Sequence, residues 1–208
     1  MFKNKKRYTM KKLTTILFTF GLIFNLNAQK KINGHEYVDL GLPSGTKWAT
    51  CNIGATQPHQ WGDRFRWGET TPCEFSPTTL SKTSGKVMND ISGNPNYDAA
   101  RAKWGGSWRM PTVKDFEELF KNCFVKWTTQ NGVGGCLVTG PNKNSIFLPI
   151  VPVMDSRPDI GSCSYWTSIP TRKGGDKYAY AFFFSKHFYQ EFLDKLRHER
   201  YAVRPVSN

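Results

Sequence analysis

Tyr178-Ala179-Tyr180-Ala181-Phe182-Phe183-Phe184 is the stretch on which the fold turns. It is apolar at odd and even positions alike and too short for an ordinary helix. A strand with one wet face would alternate polar and apolar residues, so this one is expected at the centre of a sheet covered on both sides. Tyr165-Trp166-Thr167, Phe188 to Phe192 and Tyr201 to Val206 read as its companion strands.

Moving toward the N-terminus, Val125 to Thr129 and Gly135 to Thr139 form a hairpin pattern around Asn131-Gly132, a pair suited to a type I′ turn. Pro141-Asn142-Lys143-Asn144 turns the chain into Ser145-Ile146-Phe147-Leu148, and Pro149 and Pro152 forbid a long central strand there. Val113, Phe116, Leu119, Phe120, Cys123 and Phe124 recur at helical spacing behind Pro111-Thr112, with Thr112 as N-cap and Asp115 completing a weak capping box. Asp98 opens a shorter helix that Gly105-Gly106 ends. Residues 70–96 and 150–162 read as long irregular loops, and such loops are usually functional or mobile. His35 to Leu42, Thr46 to Ile53 and Asp63 to Trp67 supply three more strands. Strands before and after two short helices make the expected class α+β.

The N-terminus carries Lys11-Lys12, the apolar run Leu13 to Phe24, and Ala28 as a small residue before Gln29. This is the pattern of a secretory leader over residues 1–28, with 29–34 as a short linker and 35–208 as the domain. The apolar run falls short of the roughly 20 residues a membrane span needs, so no permanent span is expected. Cleavage would remove Lys3, Lys5, Lys6, Arg7, Lys11 and Lys12, lowering the formal charge from +13 to +7. The last 38 residues hold eight Lys/Arg against four Asp/Glu. That surplus reads either as solvated surface charge or as a face for anionic glycan, lipopolysaccharide or nucleic acid. Basic runs interleaved with stacking aromatics are missing, so nucleic acid is not an expected partner.

Cys51, Cys73, Cys123, Cys136 and Cys163 fit no zinc spacing, and in an exported chain they allow buried thiols or up to two disulfides. The four His residues form no HExxH, and no GxSxG elbow or phosphate-cradling loop occurs, so an enzyme is the weaker expectation. No cofactor and no metal are expected. Trp48, Trp104 and Trp108 read as core. Trp61, Trp67 and Trp166 have two readings, sugar stacking beside Asp63, Glu69 and Asp159, or packing. Arg109 and Arg204 read as framework residues whose guanidinium groups bond loop carbonyls or carboxylates.

Tyr37 to Ala55, Trp67-Gly68-Glu69-Thr70-Thr71, Trp104 to Thr112, Val138 to Asn142, Ser145 to Pro149, Tyr165 to Ser168 and Val203-Arg204-Pro205-Val206 follow one another in an order that resembles the Fibrobacter succinogenes major paralogous domain. The resemblance covers roughly residues 35 to 206, and several ordered blocks are more specific than one motif. The chain departs from that pattern at Arg197-His198-Glu199-Arg200, where Arg stands for Gly, and at Trp61, where Tyr is common. The resemblance implies a C-type lectin-like fold with two short helices, mixed but mostly antiparallel strands and long loops. It also implies a distant similarity to formylglycine-generating enzymes and occurrence in exported proteins of Bacteroidetes-type bacteria.

A lectin-like fold would use the loop before the last strands as its ligand platform. Together with Trp61 and Asp63, this makes Asp155, Arg157, Asp159, Tyr165 and Trp166 the candidate binding residues. Arg157-Pro158-Asp159 resembles a sugar-binding calcium tripeptide but lacks its Trp-Asn-Asp companion. The expected function is an exported, non-catalytic binding module for a glycan or protein at the cell surface. The alternatives are an adhesin-type component of a surface assembly, or an enzyme in which Cys163 meets His187 or Asp159.

Overall fold

The computed structural model describes residues 30–73, 79–151, 162–174, 176–186 and 190–208. The expected leader, with Asp155, Arg157, Asp159 and His187, lies outside them. In chain order the elements are β1 (Lys31–Ile32), β2 (His35–Asp39), β3 (Lys47–Ala49), β4 (Arg64–Arg66), α1 (Ala99–Trp104) and α2 (Val113–Asn122). There follow β5 (Phe124–Gln130), β6 (Val133–Thr139), β7 (Ser145–Pro149), β8 (Ser162–Pro170), β9 (Tyr178–Ser185), β10 (Gln190–Leu196), β11 (Arg200–Ala202) and β12 (Val206–Ser207).

The expected α+β, C-type lectin-like domain is corrected in its class. Of the described residues 38% are strand and 10% helix, spread over several sheets, which is broadly all-β. The physical reason is that both helices are short, six and ten residues, while strands of two or three residues are too brief to show a period in the sequence. One of these, β1, falls within the stretch read as a linker and pairs with β2.

Three sheets form, ordered β1-β2-β3-β12, β10-β9-β8-β11-β4 and β5-β6-β7. β9 lies between β8 and β10, where its doubly apolar sequence belongs. Successive residues of its sheet enter two different cores, because side chains alternate across a strand. Tyr165, Phe182 and Ala202 join one cluster with α2 and the inner face of β6 and β7. Trp166, Ala181 and Tyr201 join another with α1, Trp67 and Trp108.

Local chemistry sets the helix starts. Asp98 caps α1 by accepting from the N–H groups of Ala100 and Arg101. Both arms of the α2 capping box form: Thr112 Oγ1 accepts from Asp115 N, and Asp115 Oδ2 accepts from Thr112 N at 2.7 Å. The box is stronger than the sequence suggests because Arg109 grips the same carboxylate through two bonds, 2.7 and 2.9 Å. Burial alone would raise the Asp115 carboxyl, but the Arg109 and Thr112 hydrogen bonds and the Arg109 charge hold it below the usual carboxylate range. Between β5 and β6, Asn131 and Gly132 sit at φ 47° and 79°, as a type I′ turn requires.

Candidate functional site

Six of the seven tryptophans are in or against the core. Trp48, Trp67, Trp104, Trp108 and Trp166 are buried and Trp127 packs on the cluster beneath α2. Trp61 is the exception, 41% exposed on the loop that joins β3 to β4. An indole left in water forgoes a large apolar burial, so what holds it there matters.

The loop is pinched at its neck. Asp63 N donates to Ile53 O at 2.7 Å, and Asn52 Nδ2 donates to Trp61 O at 2.8 Å. Gly62, at φ 72°, approaches so closely that a Cβ there would lie 2.3 Å from Ile53 O. Only glycine fits both that angle and that contact. Within the loop, Gln60 Oε1 accepts from Thr56 N, Thr56 Oγ1 and Gln57 N at 2.8 to 3.0 Å. At its rim, Asn131 Nδ2 lies 3.2 Å from His59 Nδ1, which ties the loop to the β5–β6 turn.

Beneath the neck is Arg204, fully buried. Its guanidinium donates to Ala49 O, Thr50 O and Phe147 O, and its Nε donates to Asn52 Oδ1 at 2.8 Å. A guanidinium only donates, so the Asn52 oxygen must face Arg204 and its amide N–H groups must face Trp61 O. Arg204 is thus the framework residue the sequence suggests, and through Asn52 it orients the backbone that carries Trp61.

The other candidate residues divide. Asp63 is half-buried at the neck, its carboxylate packed where a Cβ on Gly54 would fall. Tyr165 and Trp166 are corrected from ligand contacts to framework, since both are fully buried. Tyr165 Oη donates to Pro149 O, and Trp166 Nε1 to Phe65 O. Trp67 is buried as well, its Nε1 donating to Thr167 O. The structure therefore brings Trp61 and Asp63 into one loop and leaves Tyr165 and Trp166 beneath it. Asn52, His59, Gln60 and Asn131 were not read as site residues from the sequence; the glycines at 54 and 62, bracketing an aromatic, were the available signal.

Of the basic surplus near the C-terminus, Arg197, Arg200 and Arg204 are buried rather than solvated. Arg197 donates to Thr83 O and Lys86 O and lies 4.5 Å from the Trp67 ring, fastening the long loop after β4.

Cys51, Cys73, Cys123 and Cys136 are free thiols. Burial pushes Cys123 up to about 11, aided by Glu118, and Cys136 up to about 12. Both are protonated at neutral pH and are poor nucleophiles. Among the described residues no cluster of His, Cys, Asp or Glu could hold a metal ion, and no helix is long and apolar enough to cross a membrane. A cavity of about 290 Å³ lined by Lys173, Gly174, Tyr178 and Asp194 shares no residue with the Trp61 loop. The chain matches no known family model, no curated protein and no solved structure.

Proposed function

We propose that the chain is an exported, non-catalytic binding module that meets a glycan or protein at the cell surface through the Trp61 loop. One observation carries the reading: the one exposed tryptophan among the described residues sits on a loop whose neck, interior and base are all hydrogen-bonded. Holding an aromatic in its bound geometry beforehand removes the ordering cost of association. A flat indole offers a sugar ring apolar contact, or a protein partner a central anchor. The leader-like N-terminus supports export, and the block-by-block resemblance to the Fibrobacter succinogenes major paralogous domain, which implies a lectin-like fold and no established activity, supports a binding role.

The test is a polysaccharide and cell-surface binding screen with the parent chain and W61A. Trp61→Ala is expected to weaken binding at least tenfold and to leave the melting temperature unchanged, because the side chain supports no core. A parent that binds nothing in the screen, or a W61A variant that binds as well as the parent, would overturn the reading.

A further inference from the structure

The face of the five-stranded sheet that carries Phe182 and Phe184 into the core beneath α2 runs on past that core. Tyr180 and Tyr178, two and four residues before Phe182, stand on the same side of β9 and are only half-buried. Asp194 pairs with Tyr180 across the β9–β10 ladder, beside the Leu196–Tyr178 pair, and is exposed on an edge strand. It is thus the diagonal neighbour of Tyr178, within reach of a long or aromatic side chain. At this outer end of the face lies the cavity of about 290 Å³, lined among the described residues by Lys173, Gly174, Tyr178 and Asp194. Small-ligand sites run from roughly 300 to 1,000 Å³, so the cavity suits one ring rather than a long chain.

Backbone hydrogen bonds fix its walls. Gly174 sits at φ 67°, and a Cβ on it would lie 3.0 Å from Tyr178 Cδ2, so the bare glycine lies against the tyrosine ring. Lys177 N donates to Gly174 O at 2.9 Å, and Thr171 Oγ1 donates to Lys173 O at 2.8 Å. Tyr178 O accepts from Thr171 N at 3.3 Å and from Nε of the fully buried Arg197 at 3.2 Å. The segment bearing Lys173, Gly174 and Tyr178 is therefore in place before any ligand arrives, which lowers the ordering cost of binding.

Lys173 and Asp194 bring opposite charges to one cavity without closing on each other, and neither joins an ion pair among the described residues. The two charges cancel, so the cavity has little field with which to select an anion or a cation. Both side chains are exposed, and an ion pair formed there with a ligand would be worth little. What the cavity offers is an aromatic face, a carboxylate that accepts from hydroxyls and an ammonium that donates to them. A pyranose matches that pattern, with C–H groups on its face and hydroxyls around its rim. We propose that the cavity is a second binding site, for one neutral sugar ring stacked on Tyr178, with Asp194 and Lys173 bonding its hydroxyls. The site stands whether or not Trp61 meets a glycan.

The experiment titrates the parent chain and W61A, by saturation-transfer NMR and calorimetry, with neutral oligosaccharides of glucose, mannose, galactose and xylose. Polyuronate fragments and free amino acids serve as charged probes. Both chains are expected to bind at least one neutral oligosaccharide saturably, which separates this site from the Trp61 loop. In the W61A chain, Y178A is expected to weaken that binding roughly tenfold, through loss of the stacking face. D194A and K173A change exposed side chains and are expected to leave the melting temperature unchanged while weakening binding by roughly threefold or more each. They keep the test decisive if Y178A fails to fold. A W61A chain that binds no neutral oligosaccharide, or only the charged probes, would overturn the proposal, even where the parent binds sugar through Trp61. So would binding that D194A and K173A leave unchanged.

Discussion

On one side of the five-stranded sheet, Phe116 stacks on Phe182 at 4.5 Å, Tyr165 on Phe184 at 6.0 Å, and Trp48 meets Phe116 edge-on at 5.2 Å. On the other side, Trp67, Trp108 and Trp166 each donate an indole N–H to a backbone carbonyl, of Thr167, Ile32 and Phe65. The first core is apolar contact between rings, and it leaves Trp48 Nε1 buried without a partner. The second is aromatic volume threaded with hydrogen bonds to carbonyls of edge or irregular strand positions: Ile32 of β1, Phe65 of β4 and Thr167 where the β8–β9 register shifts. The difference follows from what each must cover. α2 and the β5–β7 sheet largely pair their own backbone, whereas β1 and β4 are edge strands and β8 is irregular after Trp166, so side chains are needed to pair carbonyls there.

The largest effect is expected where the second core depends on a single carboxylate. Asp98 is fully buried and accepts from Ala100 N and Arg101 N on one oxygen and from Gly93 N and Met110 N on the other. Burial pushes its carboxyl up, against the pull of those four N–H groups. Removing it in D98A strands several buried donors at once, at about 1–3 kcal/mol each before water relieves some of them, so a loss of about 4 kcal/mol is expected. Urea unfolding followed by tryptophan fluorescence measures it. A loss below about 1 kcal/mol would show that this core, like its neighbour, rests on packing.

A matched pair isolates the hydrogen-bond contribution. Trp48→Phe and Trp166→Phe make the same chemical change at fully buried sites on opposite sides of the sheet. Both leave a cavity, but only W166F also orphans a carbonyl, that of Phe65, while W48F removes an unpaired N–H. W166F is therefore expected to be less stable than W48F by about 1–3 kcal/mol. Equal losses in denaturant titrations would mean that the two cores differ in geometry but not in energetics.

This contrast also explains what sequence could reveal. The central position of β9 was legible because strand period is local, and residues apolar on both faces announce two covered faces. The caps at Asp98 and Thr112 were legible for the same reason, each lying within a few residues of what it bonds. The second oxygen of Asp98, reaching Gly93 and Met110, was not, nor was the pairing of Arg66 with Arg200, because register is set by the assembled sheet. Tyr165 and Trp166 misled as binding candidates since an aromatic pair in a strand must send one ring to each side, and here each side is a core. Trp61 was distinguishable only by its glycine-bracketed loop. The α+β expectation failed because two short helices weigh little against the strands, because β1 is too short to carry a pattern, and because the stretch read as one strand from Tyr201 to Val206 divides into β11 and β12 in different sheets.

The smallest effect concerns the rim of the second core. His35 of β2 lies flat on Trp104, ring centroids 4.0 Å apart and planes 6° from parallel. Partial burial lowers its pKa below the ordinary 6.5, because the charged ring is harder to hydrate there. In the window between the folded value and 6.5 the unfolded chain binds the extra proton, so stability rises with pH. The contribution of a neutral His35 is therefore complete above about pH 6.5 and is lost as pH falls through the folded value. Melting temperatures measured from pH 7.5 down to 5 should decline, and H35F, which keeps a ring on Trp104 but cannot take a proton, should decline less over the same range. An identical slope in the two chains would assign the acid sensitivity elsewhere. Asp115 is then the next group to test: its depressed carboxyl loses its Arg109-supported stability only at more acidic pH, as pH falls below its ordinary value and through the folded one, and its loss would loosen α2 on the ring-stacked side.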